Sequence, residues 1–268
     1  MRKPIALTFL FIFVFSFFMA LVLRENPMIS GAESYAEQIS TTAAGTYITL
    51  RSVNAVLSTA QDVEISVSLG GGGSAQPLKT LEPVDDTTER IAGLVFYIMV
   101  ATGILSVSMG PISSVGFVML GLASLMRFIE VSIGASLMSR GLALRFFAYG
   151  GFLALALPAA FVLSSLVAEP LTEKRLDDNQ KIVADIIPPV AVGLDDDGNF
   201  LQRARSTFER AGELATQAMA IWENADRLFK SYIIILAIFV FRIFVLPLML
   251  LGAFFVLTRW FLEPERPG

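Results

Sequence analysis

Two ionisable side chains stand out by position. Arg242 sits inside FVFRIFVLP, residues 239–247 of the last long apolar run, and Glu130 sits at the end of an earlier one. A charge at bilayer depth costs roughly 2.5–3.5 kcal/mol on insertion scales, so it normally has a partner or a task. Counted from Tyr232 at about 1.5 Å per residue, Arg242 lies about 15 Å along its helix, near mid-bilayer and too deep to snorkel easily. It can serve as a hydrogen-bonded or ion-paired structural arginine, as a contact to another protein, or as the lining of a transport path. Glu130 has a nearby partner in Arg127, three residues away on the same helical face. A Glu130–Arg242 pair is the less direct arrangement.

Beyond these two residues, reactive chemistry is scarce. The chain has no histidine and no cysteine. That removes the usual general base, the commonest metal ligand, the thiolate nucleophile and any disulfide framework. Paired acids inside the apolar runs are lacking as well, so the sequence reads as a non-enzyme without cofactor or metal. LDDDGN at 194–199 has the look of a calcium loop, but Ala204 stands where the bidentate acid is needed. It reads instead as an Asx-rich turn, with Asn199 capping a helix and Gln202 completing the box. No basic patch points to nucleic acid.

The elements that must position these residues are membrane helices. Of 268 residues, 54% are hydrophobic and only 16% are charged, with mean hydropathy +0.67. Soluble domains run nearer a quarter charged, so this is an integral membrane protein whose solvent is the lipid bilayer. Residues 1–23 form a basic start and an apolar run, the pattern of a signal-anchor helix. A cleaved signal peptide is the rival, disfavoured by the length of the run and the lack of a small-x-small site before Arg24. Residues 24–90 are polar. Pro27 and Gly31 break the chain, and the Ser34–Glu37 capping box opens an amphipathic helix over roughly 34–61. DVEISVSL then alternates as a short half-buried strand, and GGGGS at 70–74 is a flexible linker.

Residues 91–126 carry no charge and exceed one bilayer crossing, so Gly110-Pro111 is expected to divide them. The piece 91–109 is then re-entrant or a fifth span, and 112–130 is a span. A basic cytoplasmic segment follows at 131–145, and 146–168 is the next span. Residues 169–230 hold twelve acids and eight bases, with Pro188-Pro189 breaking their first half. They end in a heptad helix whose seam includes Ala204, Phe208, Ala211, Ala215, Ala218, Trp222 and Ala225. That coiled-coil-like helix runs on into the C-terminal span 231–258, which Pro247 should kink, and 259–268 is a tail. The expected fold is all-α, with about four transmembrane helices, one re-entrant or interfacial helix and a small, mainly helical extracytoplasmic domain. Basic residues in short segments favour four crossings with both termini cytoplasmic.

The segment TLRSVNAVLSTAQDVEISV, followed by LEPVDDTTERIAGLV, resembles an uncharacterised family of small bacterial membrane proteins. The resemblance rests on Arg51, Asn54, Ser58, Gln61, Glu64, Leu81, Pro83, Asp86, Glu89 and Arg90, about a sixth of the chain. It implies a bacterial inner membrane and no activity. Arg51, Asn54, Gln61 and Glu64 form a polar set that could bind a ligand or simply face solvent. The functional expectation is a structural or assembly role through the extracytoplasmic helical domain, as a homo-oligomer or with an unknown membrane protein. The alternative is a small channel or transporter subunit with Arg242 on the path.

Overall fold

The computed structural model describes residues 2–21, 26–68, 82–134, 140–187 and 216–262. The helices are α1 (Arg2–Leu21), α2 (Pro27–Ser68), α3 (Glu82–Ile133), α4 (Arg140–Gly151), α5 (Leu157–Ile186), α6 (Ala225–Val240) and α7 (Leu246–Leu262). Two π-turns, Phe152–Ala156 and Phe241–Val245, join α4 to α5 and α6 to α7. Residues 216–223 are helical and run into α6 across Asn224, whose N–H donates to the Ala220 carbonyl at 3.2 Å. The GGGGS linker, Pro188-Pro189, the LDDDGN turn with its cap, and the first half of the heptad seam lie outside the described residues. Among the described residues, four helical runs are long and apolar enough to cross a membrane: Pro4–Leu21, Glu82–Ile133, Gly141–Ile186 and Ala225–Val256. The chain is an all-α, multi-pass membrane protein.

Three local expectations change. First, α2 begins at Pro27, not at the Ser34–Glu37 box, which lies exposed within the helix. Asn26 is the cap: its Oδ1 accepts the Met28 N–H at 3.0 Å, and its carbonyl accepts the N–H groups of Ile29 and Ser30. Proline at the first helical position lacks only an N–H that has no partner there anyway. Second, no strand forms among the described residues, and α2 continues through Val63, Ile65 and Val67 to Ser68. A lone strand would leave its backbone groups without a ladder, whereas the helix satisfies them internally.

Third, Gly110-Pro111 does not divide the apolar run. α3 is a single helix of 52 residues with Pro111 inside it, so 91–109 is its first half and neither a re-entrant piece nor a separate fifth span. Gly110 has no Cβ to clash with the proline ring. Its N–H is also taken by the Glu33 carboxylate at 3.1 Å, so a neighbouring helix satisfies the backbone at the weak point.

The described chain divides into two compact units. Unit 1 comprises Met1–Ser40, Val100–Pro170 and Phe241–Gly268. Within it α1 and α3 run antiparallel: Arg127 lies over Phe9, Gly121 faces Phe13 and Ser16, and the Ser114 hydroxyl reaches the Ala20 carbonyl at 3.5 Å. α3 and α4 are antiparallel and approach backbone to backbone. A Cβ added at Gly116 would lie 2.5 Å from the Ala154 nitrogen, and one at Gly150 would lie 2.8 Å from the Leu120 nitrogen. Small residues permit such contact, which dispersion then stabilises where lipid removes the hydrophobic drive. α1 buries little besides Ser16 and leaves Leu7, Phe11 and Leu21 exposed, as a helix bathed in lipid would.

Unit 2 comprises Thr41–Met99 and Leu171–Val240. Its helical stretches bury residues at alternating three-four spacing. On α2 these are Ala43, Thr46, Leu50, Val53, Leu57 and Ala60; on α3 they are Val84, Thr88, Ile91, Val95 and Ile98. This is the seam pattern of helices packed nearly parallel to one another.

The Gly116 contact gives a paired prediction. Gly116→Ala should destabilise unit 1 by about 1–3 kcal/mol, because the added methyl meets backbone rather than a movable side chain. Gly93→Ala, where nothing lies within 4 Å, should be neutral or stabilise by up to about 1 kcal/mol. Unfolding of the purified variants in one detergent compares them directly.

Candidate functional site

Arg242 lies in the second π-turn and is 5% exposed. In an i→i+5 pattern, the natural donor for its carbonyl is the N–H of residue 247. Residue 247 is proline and has none. The hydroxyl of Tyr35, buried on α2, donates to that carbonyl instead at 3.1 Å. The first π-turn has the same construction. Leu157 N–H bonds to the Phe152 carbonyl, five residues back, and Pro158 follows. Each π-turn thus ends two residues before a proline and absorbs the lost bond without breaking the helix.

Two charges act on Tyr35, and a third stands beside it on the opposite side of α2. Arg242 and Glu169 both act electrostatically on its hydroxyl, and Glu33 stands two residues before it. The contacts of α3 fix their level. Ala20 of α1 meets Ser114, Glu33 meets Gly110, and a Cβ on Gly103 would touch Ser40. Tyr35 and the Arg242 backbone therefore sit level with the end of α1 or just past it, not half-way along it. Ile243 to Leu262 is a further twenty residues, about 30 Å at roughly 1.5 Å per residue, the thickness of a bilayer core.

Glu130 pairs with Arg127 on α3, as the spacing predicts. The Arg127 guanidinium also lies 5.8 Å from the centre of the Phe9 ring, and Phe9 meets Phe147 edge-on at 6.3 Å. These groups border a cavity of about 370 Å³ lined by Phe9, Arg127, Ala143, Leu144 and Phe147.

In unit 2, Arg51 donates from Nε to the Tyr47 hydroxyl at 3.0 Å and lies over the Tyr47 ring. That bond raises the guanidinium further above its ordinary value. Tyr47 packs on Phe96 at 5.5 Å, and Phe96 on Tyr97 at 6.3 Å. Tyr97 is 71% exposed, and Ile48 and Leu94 are exposed as well. Asn54 and Ser58 share one face of α2, where Ser58 hydrogen-bonds Asp85 in the first turn of α3. The Asn54 Oδ1 and Asp85 Oδ1 are buried without a hydrogen-bond partner among the described residues. Gln61 and Glu64 lie on the last turns of α2. No group of three or more metal-ligating side chains forms among the described residues.

A groove of about 490 Å³ runs between α2, α5 and α6, and no charged side chain lines it. The hydroxyls of Thr46, Thr49 and Ser52 in its wall donate to carbonyls of their own helix. Of the heptad seam, Ala204, Phe208, Ala211 and Ala215 lie outside the described residues. Ala218 is buried, Ala225 is half-buried and Trp222 is 41% exposed. The buried line is instead Ala218, Ile221, Leu228, Tyr232, Ile235 and Phe239, and its three-four rhythm leads to Arg242 and Leu246. Ile221 and Leu228 are in phase with that continuation; Trp222 is one position off. Protein-family models, curated proteins and solved structures were compared with this chain, and none matches.

Sequence reasoning passed over Glu33 and Tyr35. The available signal was arithmetic: each interior proline frees one carbonyl, which calls for a donor nearby such as the Tyr35 hydroxyl. Tyr35→Phe should destabilise unit 1 by about 1–3 kcal/mol by removing a buried donor from the Arg242 carbonyl. Pro247→Ala restores a backbone N–H, so Tyr35→Phe should cost clearly less in that background. A double-mutant cycle measured by unfolding in detergent checks the coupling, and equal costs in both backgrounds would disprove it.

Proposed function

We propose that this chain is a non-enzymatic, membrane-anchored assembly protein. Unit 2 stands outside the bilayer and holds a second protein, or a second copy of the chain, through Tyr47, Arg51, Phe96 and Tyr97. The observation that carries this reading is the cluster of tilted and edge-on aromatics, exposed at Phe96 and Tyr97, with Arg51 over the Tyr47 ring. Tyr, Phe and Arg are enriched at the centres of protein interfaces, where they bury large rigid surfaces and retain a polar handle. α3 has 52 residues, about 78 Å at roughly 1.5 Å per residue, more than twice the thickness of a bilayer core, so part of it stands in water. With unit 2 in water, these exposed aromatics need a partner to cover them.

In this arrangement the chain crosses a bacterial inner membrane four times. α1 acts as a retained anchor, since its Phe9, Phe13 and Ser16 pack on α3. Arg127, Arg140, Arg145 and Arg259 fall at the same end as the start of α1 and are placed in the cytoplasm by the positive-inside rule. Both polar segments then share the opposite compartment. The resemblance of segment 51–90 to bacterial membrane proteins agrees with this location.

The lack of cysteine makes both tests clean. Thr59→Cys and Asp178→Cys should label with a membrane-impermeant maleimide in intact cells, and Ile133→Cys should not. Labelling of only one of the first two would put the polar segments on opposite sides and end the shared-domain reading. Tyr97→Cys, treated with a bifunctional crosslinker in native membranes, should give an adduct at twice the chain mass or at one other discrete mass. Arg51→Ala and Tyr97→Ala should reduce that complex about ten-fold or more, in line with interface hot spots. Trp222→Ala should leave it unchanged; the reverse pattern would move the contact to the heptad seam.

A further inference from the structure

The cavity between α1, α3 and α4 carries chemistry that the assembly reading does not use. Its walls are Phe9, Ala143, Leu144 and Phe147, and Arg127 stands at its edge. Leu144 and its helix neighbour Arg145 are exposed, so the cavity opens outward rather than into the core. Among the described residues, Arg127 donates only to Glu130, from Nη1. A guanidinium has five N–H donors in a planar fork, which leaves the edge containing Nη2 and Nε for another acceptor. Glu130 is half-exposed and takes that bond on Oε2, which leaves Oε1 for another donor. The two side chains sum to zero charge, yet each retains capacity for one more charged group.

We propose that this cavity seats a zwitterionic aminophospholipid of the phosphatidylethanolamine type. The phosphodiester binds the unused edge of Arg127, the primary ammonium binds Glu130, and one acyl chain lies along Phe9, Leu144 and Phe147. The assignment rests on reading α1, α3 and α4 as membrane spans. Phe9 is five residues past Pro4, about 8 Å into α1 at roughly 1.5 Å per residue, the depth of the headgroup-to-acyl boundary. Planar two-point recognition of phosphate is a property of arginine. Phosphatidylcholine shares the phosphate, but its quaternary ammonium has no N–H to donate. Phosphatidylglycerol lacks the ammonium and faces the Glu130 carboxylate, although Arg145 at this end of α4 would attract it.

Native mass spectrometry of the detergent-purified full chain tests this directly. The probes are phosphatidylethanolamine, phosphatidylcholine and phosphatidylglycerol with identical acyl chains, and inorganic phosphate. The wild type should retain phosphatidylethanolamine best, and inorganic phosphate should not displace it. Arg127→Ala should weaken that retention about ten-fold, the effect of losing a charge-assisted hydrogen bond. Glu130→Gln, nearly isosteric, should erase the preference for phosphatidylethanolamine over phosphatidylcholine while leaving phospholipid bound. Unfolding curves for each variant separate lost binding from lost fold. Equal or tighter binding of phosphatidylglycerol by the wild type would overturn the proposal. So would retention of the preference in folded Glu130→Gln. Neither result bears on the maleimide topology test.

Discussion

A backbone carbonyl or N–H in apolar surroundings must find a partner, and in this chain prolines keep removing one. Pro111, Pro158 and Pro247 each fall inside a long apolar helical run. In hydrocarbon each orphaned group would cost several kcal/mol. Two remedies appear. The π-turns at Phe152–Ala156 and Phe241–Val245 shift the bonding pattern ahead of Pro158 and Pro247. Side chains of α2 act at the same places: the Tyr35 hydroxyl donates to the Arg242 carbonyl, and the Glu33 carboxylate accepts the Gly110 N–H beside Pro111. Continuity of α3 and of the α6–α7 run rests on these bonds, and with it the level at which Arg242 stands.

That level changes what Arg242 means. An apolar run counted from its start places the arginine deep in lipid. The same run divides in the structure. Ile235, Ile238 and Phe239 are buried in the core of unit 2, and twenty helical residues, to Leu262, follow Arg242. Hydropathy does not distinguish a residue buried against protein from one exposed to lipid, so it carries no sign of this division.

The parts legible beforehand were those set by local pattern. The apolar runs, the all-helical class, the acids opening α3 and the i,i+3 pair of Arg127 with Glu130 follow from composition and helical spacing. The start of α2 was readable too, since Asn26-Pro27 is a cap followed by a first-turn proline, but the Ser34–Glu37 box obscured it. The alternation in Val63, Ile65 and Val67 was too short to separate strand from helix without knowing whether a partner strand existed. The Gly116–Gly150 approach, the crossing of Gly110-Pro111 and the partners of Tyr35 depend on residues far apart in sequence, and spacing carries no signal for them. For the candidate sites the division is similar. Arg51 was singled out from its segment, but its ring neighbour Phe96 lies on another helix.

Glu33 and Tyr35 are two residues apart, about 200° around a helix, so they face nearly opposite directions from one backbone. One reaches α3 at its proline and the other reaches the C-terminal run at its own. α2 therefore works at this point like the pin of a clasp, with a membrane-directed helix fastened on either side. Its rotational setting is dictated twice over, and a twist that loosened one fastening would loosen the other. The segment that composition sets apart as polar and peripheral is the one through which two of the apolar helices are held in register.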